Sequence, residues 1–349
     1  MATNNYGRGF MNQKLSRRGL LRASAGTAAA AGLALTACNG SEQETAVSGG
    51  ASVPGEGSPQ PSATVEKPVH SLVRDGKLMV MPGVYDVLSA KIAERAGFPA
   101  VVVTGYGVSA SHLGEPDFGL LTQTEMLDVV RRITSAVSIA VIADGDTGYG
   151  GPLNVQRLVR DLIHMGAKGV ILEDQRWPKR CGHMRGKEVI DAAEHVAKIR
   201  AARDAIGDAP FLLTARTDAL ETHGLDEAIS RARQYKEAGA NVLFVEGPRD
   251  RDELRRIGQE LPSPLAVNLI EGGRTPLCSL EELHEMGFFS IGFVLSGLYA
   301  AARALERTYA EIREKGTTLG LGDSMFAFDE FNTLIGAETR YAEDEHYRP

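Results

Sequence analysis

Ile139-Ala140-Val141-Ile142-Ala143-Asp144 and Gly169-Val170-Ile171-Leu172-Glu173-Asp174 are two continuous apolar runs, each ending on acids. Between them, Val155–Met165 carries an amphipathic helical pattern that stops at Gly166, a residue type that commonly closes a helix. Runs that are apolar throughout, rather than at every second residue, are expected of parallel strands covered on both faces. The stretch therefore reads as strand, helix, strand, and the alternation continues on either side of it.

Upstream lie the strand candidates Leu78–Met81 and Ala100–Thr104; downstream lie Phe211–Ala215, Asn241–Val245, Leu265–Asn268 and Ser290–Val294. Helical patterns occupy Val87–Ala96, Gln123–Ala136, Ala192–Ala205 and Leu225–Ala238. Such βα units, spread over roughly 250 residues, predict an α/β fold of the (β/α)8 TIM-barrel kind. A doubly wound open sheet is the alternative, but no Gly-x-Gly-x-x-Gly follows the first strand. The barrel is assigned to residues 69–318. Residues 319–349 form a C-terminal helical extension whose apolar residues (Met325, Phe326, Phe328, Phe331, Leu334, Ile335) need a surface to pack on, such as a neighbouring subunit.

The chain has 349 residues and a net charge of −7, which opposes binding to nucleic-acid phosphates. No run of about 20 apolar residues interrupts the body of the chain, so no span is expected there. Residues 1–38 read as a twin-arginine, lipoprotein-type signal. Arg17-Arg18 is followed by Leu20-Leu21, an Ala-rich run from Ala23 to Ala37, and Leu35-Thr36-Ala37-Cys38, which resembles a lipobox with Cys38 as the lipidated residue. Export by the twin-arginine route to the cell envelope or periplasm is expected, with any membrane attachment made through the lipid anchor. Residues 39–68, rich in Gly, Ser, Pro and Glu, read as a disordered linker.

Catalytic groups of a barrel collect at the C-terminal ends of its strands. Here those ends read Thr104-Gly105-Tyr106, Asp144-Gly145-Asp146, Glu173-Asp174, Arg216-Thr217-Asp218, Glu246 and Asn268. Carboxylates converging on one mouth repel unless a cation joins them. Oxygen ligands without His favour Mg2+, with Mn2+ possible, over Zn2+. Arg216 offers a fork for a substrate carboxylate and equally a salt bridge to Glu173, Asp174 or Glu246; the roles are compatible. After the fourth strand, Trp177-Pro178-Lys179-Arg180-Cys181-Gly182-His183 surrounds one thiol with two cations and a His. That setting is expected to lower the thiol pKa and to make it a competent acid or base. Cys278 reads as packing. His183 lacks a second His at ligand spacing and reads as an orienting group.

Asp144-Gly145-Asp146-Thr147-Gly148-Tyr149-Gly150, Glu173-Asp174-Gln175, Lys179–His183 and Ala215-Arg216-Thr217-Asp218-Ala219 together resemble the isocitrate lyase/phosphoenolpyruvate mutase superfamily. The resemblance covers about Lys77 to Gly336. It implies a TIM barrel and a homotetramer with the last helices swapped between subunits. It implies Mg2+ on Asp144 and Asp146 with Glu173 in the outer shell, substrate contacts at Thr104, Gly105, Tyr106, Asp117, Gly182, His183 and Asn268, and catalytic roles beside Cys181 for the substrate-contacting Arg216 and Glu246. Cys181 matches the catalytic Cys of a mobile gating loop and is found in the carbon–carbon lyases. Two Arg residues that hold the further carboxylates of 2-methylisocitrate lyase substrates align with Tyr299 and Phe328, which argues against a tricarboxylate. The family Tyr of the second strand aligns with Val102, leaving Tyr106 as a substitute base. Trp177-Pro178-Lys179, Glu271–Pro276 and Phe328–Asn332 look more like the 2,3-dimethylmalate lyase and oxaloacetate hydrolase branch. The expected activity is Mg2+-dependent cleavage of a substituted malate to pyruvate and a monocarboxylate. The alternatives are hydrolysis of oxaloacetate, carboxyphosphonoenolpyruvate mutase chemistry, and a non-enzymatic surface carboxylate-binding protein.

Overall fold

The computed structural model describes residues 78–348. The twin-arginine signal, Cys38 and the linker 39–68 lie outside them. Eight parallel strands, β1 (Met79–Val84), β2 (Ala100–Val103), β3 (Ala140–Asp144), β4 (Gly169–Glu173), β5 (Leu212–Thr217), β6 (Val242–Val245), β7 (Leu265–Leu269) and β8 (Phe288–Phe293), close into a barrel in chain order. Closure is made by β8 on β1, with Met79 opposite Ser290. The barrel expected from the alternating runs is therefore the fold.

Local chemistry sets the helix starts. The first helix, α1 (Val87–Arg95), begins at Asp86, whose carboxylate accepts from Ser89 N while Ser89 reaches back to the cap backbone. Thr122 and Glu125 make the same reciprocal pair ahead of the helix Gln123–Thr134. The helix Pro152–His164 has Pro at its first turn, and Gly166 beyond it takes the left-handed turn at φ 85°.

Alternation along the strands decides what faces inward. Val101, Val103, Val141, Ala143, Leu172, Ala215 and Val245 pack outward in the core shared with the helices. Met79, Met81, Val102, Ile142, Leu212 and Phe289 fill the barrel interior. One step further along each strand, the inward row becomes polar: Thr104 follows Val102, Asp144 follows Ile142, Glu173 follows Ile171, Glu246 follows Phe244. An apolar floor thus carries a ring of charged groups at the C-terminal mouth. Asp174 falls on the other parity. It accepts from Thr217 Oγ1 (2.7 Å), the backbone N of Asp218 (2.8 Å) and Tyr235 OH (2.8 Å), and pairs with Arg231 at 3.2 Å, tying β4 to its neighbours instead of facing the mouth.

After β8 come the helix Ser296–Lys315, a 3-10 turn Leu319–Ser324, and the short helices Phe328–Ile335 and Ala337–His346. Within the chain, this extension lies against α1: Arg95 pairs with Glu330 at 3.3 Å and stands over the Phe326 ring at 5.9 Å. Phe328 is 82% exposed on the helix Phe328–Ile335 and does not line the mouth of its own chain. No helix among the described residues is long and apolar enough to cross a membrane.

Candidate active site

Asp144 ends β3, and its carboxylate is fixed from both sides. Oδ2 accepts from the backbone N of Gly105 (3.0 Å) and Oδ1 from that of Asp146 (3.1 Å). A Cβ at Gly105 would stand 2.8 Å from Asp144 Oδ2 and 3.4 Å from Asp146 Oδ1, so both acids converge on a residue without a side chain. Asp146 (φ 48°) and Tyr149 (φ 56°) are the non-glycine residues at positive φ among the described ones, and both belong to this one loop. Such strained conformers persist where the surroundings impose them and gather at functional sites. The hydroxyl of Tyr149 is buried without a hydrogen-bond partner, and burial next to Asp146 and Asp144 keeps it firmly protonated.

Lys179 is buried between two acids, with Nζ 2.7 Å from Asp117 Oδ1 and 2.6 Å from Asp146 Oδ1. Burial, opposed by the Lys179 ammonium and reinforced by Asp144, pushes Asp146 up to about 6. Sequence reading placed Asp117 against substrate and Lys179 near the thiol; in the structure they are partners, 62 residues apart.

The loop 177–187 is closed. Cys181 N donates to Asp117 O (3.1 Å), and Gln175 holds Arg180 by both its backbone groups (2.8 and 3.0 Å). His183 accepts from Arg274 N through Nδ1 (2.8 Å), and its Nε2 lies 3.0 Å from Glu246 Oε1. These contacts tie the loop to the segment after β7 and to the end of β6. Lys187 donates to Gly182 O and pairs with Asp218 at 3.0 Å. Gly182 rides directly over Glu246 and Arg216, where a Cβ would come within 2.4 Å of Glu246 Cγ.

The thiol departs from expectation. Burial pushes Cys181 up to about 11, with Asp117 and Glu246 adding to the effect and Arg216 opposing it only in part. The adjacent cations do not lower it because they are spent elsewhere. Lys179 faces Asp117 and Asp146, and Arg180 turns away to Arg185 O (3.0 Å) and the Phe118 ring (5.3 Å). At neutral pH the group is a thiol, which can give a proton but is a poor base.

Arg216 lies inside β5, not beyond it. Nε and Nη2 donate to Asp218 (2.9 and 3.0 Å), Nη1 meets Glu246 at 3.1 Å and Nη2 meets Glu173 at 3.3 Å, with the guanidinium 5.5 Å from the Phe244 ring. Arg216, Glu173, Phe244 and Glu246, with Thr104, Tyr106, Asp144, Lys179, Cys181, Gly182, His183 and Asn268, border one cavity of about 40 Å³.

Asp117, Asp144, Asp146, Glu173, Asp218 and Glu246 outnumber the buried cations Lys179, Arg216 and Lys187. Burial against incomplete compensation holds Glu173 well above the usual carboxylate range, and its Oε1 has no hydrogen-bond partner. Among the described residues, no three His, Cys, Asp or Glu side chains form a ready-made metal cluster. The oxygen-only donors Asp144, Asp146 and Glu173 suit a hard cation that takes one or two carboxylates and keeps its waters.

The family model described as phosphoenolpyruvate phosphomutase matches residues 69–313. The chain belongs to the isocitrate lyase/phosphoenolpyruvate mutase superfamily. It is 53% identical over 281 residues to the petal death protein of Dianthus caryophyllus, covering 80% of this chain and 88% of that one. To the 2,3-dimethylmalate lyase of Eubacterium barkeri it is 44% identical over 278 residues, covering 80% and 96%. The chloroplastic carboxyvinyl-carboxyphosphonate phosphorylmutase of Arabidopsis thaliana is 49% identical over 291 residues, covering 82% and 86%. Among solved structures, oxaloacetate acetylhydrolase bound to 3,3-difluorooxalacetate superposes with a TM-score of 0.76 at 36% identity, covering 80% and 96%. Phosphonopyruvate hydrolase with oxalate and Mg2+ superposes with a TM-score of 0.73 at 28% identity, covering 81% and 98%. This superfamily member is thus an enzyme of the lyase and mutase group, in which a divalent metal serves.

Proposed function

We propose that the enzyme cleaves a 2-hydroxy dicarboxylate with alkyl substituents, of the 2,3-dimethylmalate type, to pyruvate and a monocarboxylate with the help of Mg2+. One observation carries this reading. The strongly basic groups bordering the cavity, Lys179 and Arg216, are already bound to carboxylates of the protein, while the wall beside them is made of Ile270, Val294 and Leu295. Such a wall receives alkyl groups and offers nothing to a third carboxylate. Tyr299, in the place where tricarboxylate lyases carry Arg, adds no cation. The named activity of the 44%-identical 2,3-dimethylmalate lyase supports the same reading.

Asp144 and Asp146 would hold the cation directly and Glu173 would hold its waters; Mn2+ would serve in place of Mg2+. When bound, the cation supplies charge stabilisation for the oxygen of the forming keto acid. In the cleavage, the C2–C3 bond breaks as the hydroxyl proton leaves C2–OH, giving pyruvate, and its electron pair passes to C3 of the other fragment. Tyr106, on the cavity wall, would take the hydroxyl proton. Cys181, held as a thiol within the closed loop, gives its proton to C3, completing the monocarboxylate. Arg216 balances the carboxylate charge during this shift. Thr104, Gly105, Gly182, His183, Glu246 and Asn268 enclose the substrate and exclude water.

The test is product identity. The purified enzyme is given 2,3-dimethylmalate, malate, 2-methylisocitrate and oxaloacetate, each with Mg2+, and products are identified by NMR. Pyruvate with propanoate from the first supports the proposal. Oxalate with acetate from oxaloacetate alone would replace it with hydrolysis, a new carbon–phosphorus bond from carboxyphosphonoenolpyruvate assayed in parallel with mutase chemistry, and no product at all with a binding role.

We further propose a homotetramer with exchanged C-terminal helices, because the helix Ser296–Lys315 buries none of its residues and leaves Leu305, Tyr309 and Ile312 exposed. Light scattering measures it; a monomer would refute it. The twin Arg and the segment ending at Cys38 support export and tethering, which a Cys38→Ala variant should convert to a freely soluble envelope protein.

A further inference from the structure

Tyr149 belongs to neither the ring of charged groups nor the gating loop, yet it touches both. It is three residues beyond Asp146 and, like Asp146, holds a left-handed backbone that only strong local constraints maintain. Its hydroxyl is buried, unpartnered, and lies under the influence of the Asp146 and Asp144 carboxylates. On its other side, the Tyr149 ring packs against Trp177, centroid to centroid 5.9 Å at 55°. Trp177 opens the segment that leads through Lys179 to Cys181. It is 44% exposed and borders a separate cavity of about 540 Å³, together with Tyr149, Gln175 and Lys198, so its indole has space to shift.

We propose that Tyr149 is a positioning residue that links the Asp144–Asp146 cation site to the hinge of the gating loop. On one side its buried hydroxyl stands beside the Asp146 carboxylate, where it can bond that segment once a cation fixes it; on the other its ring backs Trp177. A cation that fixes Asp146 fixes Tyr149 and so favours one placement of Trp177. By reciprocity, a loop closed on substrate tightens the cation. The roles separate by atom: the hydroxyl serves the cation site and the ring serves the hinge. The inference rests on the proposed cation site at Asp144 and Asp146.

Trp177 is the one tryptophan in the sequence, so its emission reports on the hinge without labelling. Mg2+ alone is titrated into the full chain, with affinity read by calorimetry and Trp177 emission followed in parallel, for wild type, Tyr149→Phe and Tyr149→Ala. In the wild type Mg2+ is expected to give a saturable emission change. Tyr149→Phe should keep that change while its Mg2+ affinity falls. Tyr149→Ala should lose the change, with affinity down about 10-fold or more, as removal of an outer support of a metal ligand typically does. Wild-type affinity and emission response in both variants would overturn the inference alone. If Tyr149→Ala fails to fold by circular dichroism, Tyr149→Phe decides, and an unchanged Mg2+ affinity refutes it. No Mg2+ binding by the wild type would remove the cation reading and the inference with it.

Discussion

Gly182 lies so close over Glu246 that a Cβ would approach Glu246 Cγ to 2.4 Å and Arg216 Nη2 to 2.5 Å. A loop from β4 thus closes on the ends of β5 and β6 only because one of its residues has no side chain. Gly182→Ala should keep its fold and melting temperature, since the clash exists only in the closed state. Turnover should fall by about 100-fold, the cost of misplacing reacting groups by roughly 1 Å. Steady-state kinetics beside a thermal melt checks this; full activity would show that closure is not needed.

Cys181 is buried and protonated, with its thiol pushed up to about 11. Cys181→Ser retains the shape of the side chain but gives up its proton far less readily. Turnover should drop about 10²- to 10⁴-fold, the usual worth of a positioned acid, with cation binding unchanged. Activity within a few-fold of wild type would take the thiol out of the mechanism.

Lys179 neutralises Asp117 and Asp146 in a dry environment. Lys179→Met leaves two buried carboxylates without their cation, and removing one partner of such a group costs roughly 3–5 kcal/mol. Denaturant unfolding should show that loss without divalent metal and partial recovery with Mg2+. Equal loss under both conditions would contradict placement of the cation beside Asp146.

Much of this was readable in the chain. Parallel strands buried on both faces must be apolar along their length, so runs such as Val101–Val103 and Val170–Leu172 revealed eight strands. The parity of the ring was less plain. Glu173 and Asp174 are adjacent, but one faces the mouth and the other bonds Thr217 and Tyr235, which depends on register across β4 and β5. The thiol was misjudged because proximity in sequence is not proximity in space. Lys179 and Arg180 flank Cys181, yet each spends its charge elsewhere, the former on Asp117 and Asp146. The positive-φ conformations of Asp146 and Tyr149 had no sequence signal beyond the neighbouring glycines, Gly148 and Gly150.

His195, on the helix Ala192–Ile206, is wholly buried against Tyr235, and burial pushes its imidazole down from 6.5 to about 3. The unfolded chain accepts a proton that the folded chain refuses between those values. Stability is therefore whole above pH 6.5 and declines as pH falls towards 3, by on the order of 5 kcal/mol at most. His195→Gln should flatten that part of the decline in denaturant midpoints measured from pH 7 to 4. A slope identical to wild type would show that His195 is not its source.

The proposed chemistry depends on one cation shared by Asp144 and Asp146. Electron paramagnetic resonance of Mn2+ titrated into the metal-stripped enzyme counts bound ions directly. One ion per chain in the wild type, displaced by Mg2+ and lost in Asp146→Asn, is the expected result. No bound ion in the wild type, or undiminished binding in that variant, would contradict it.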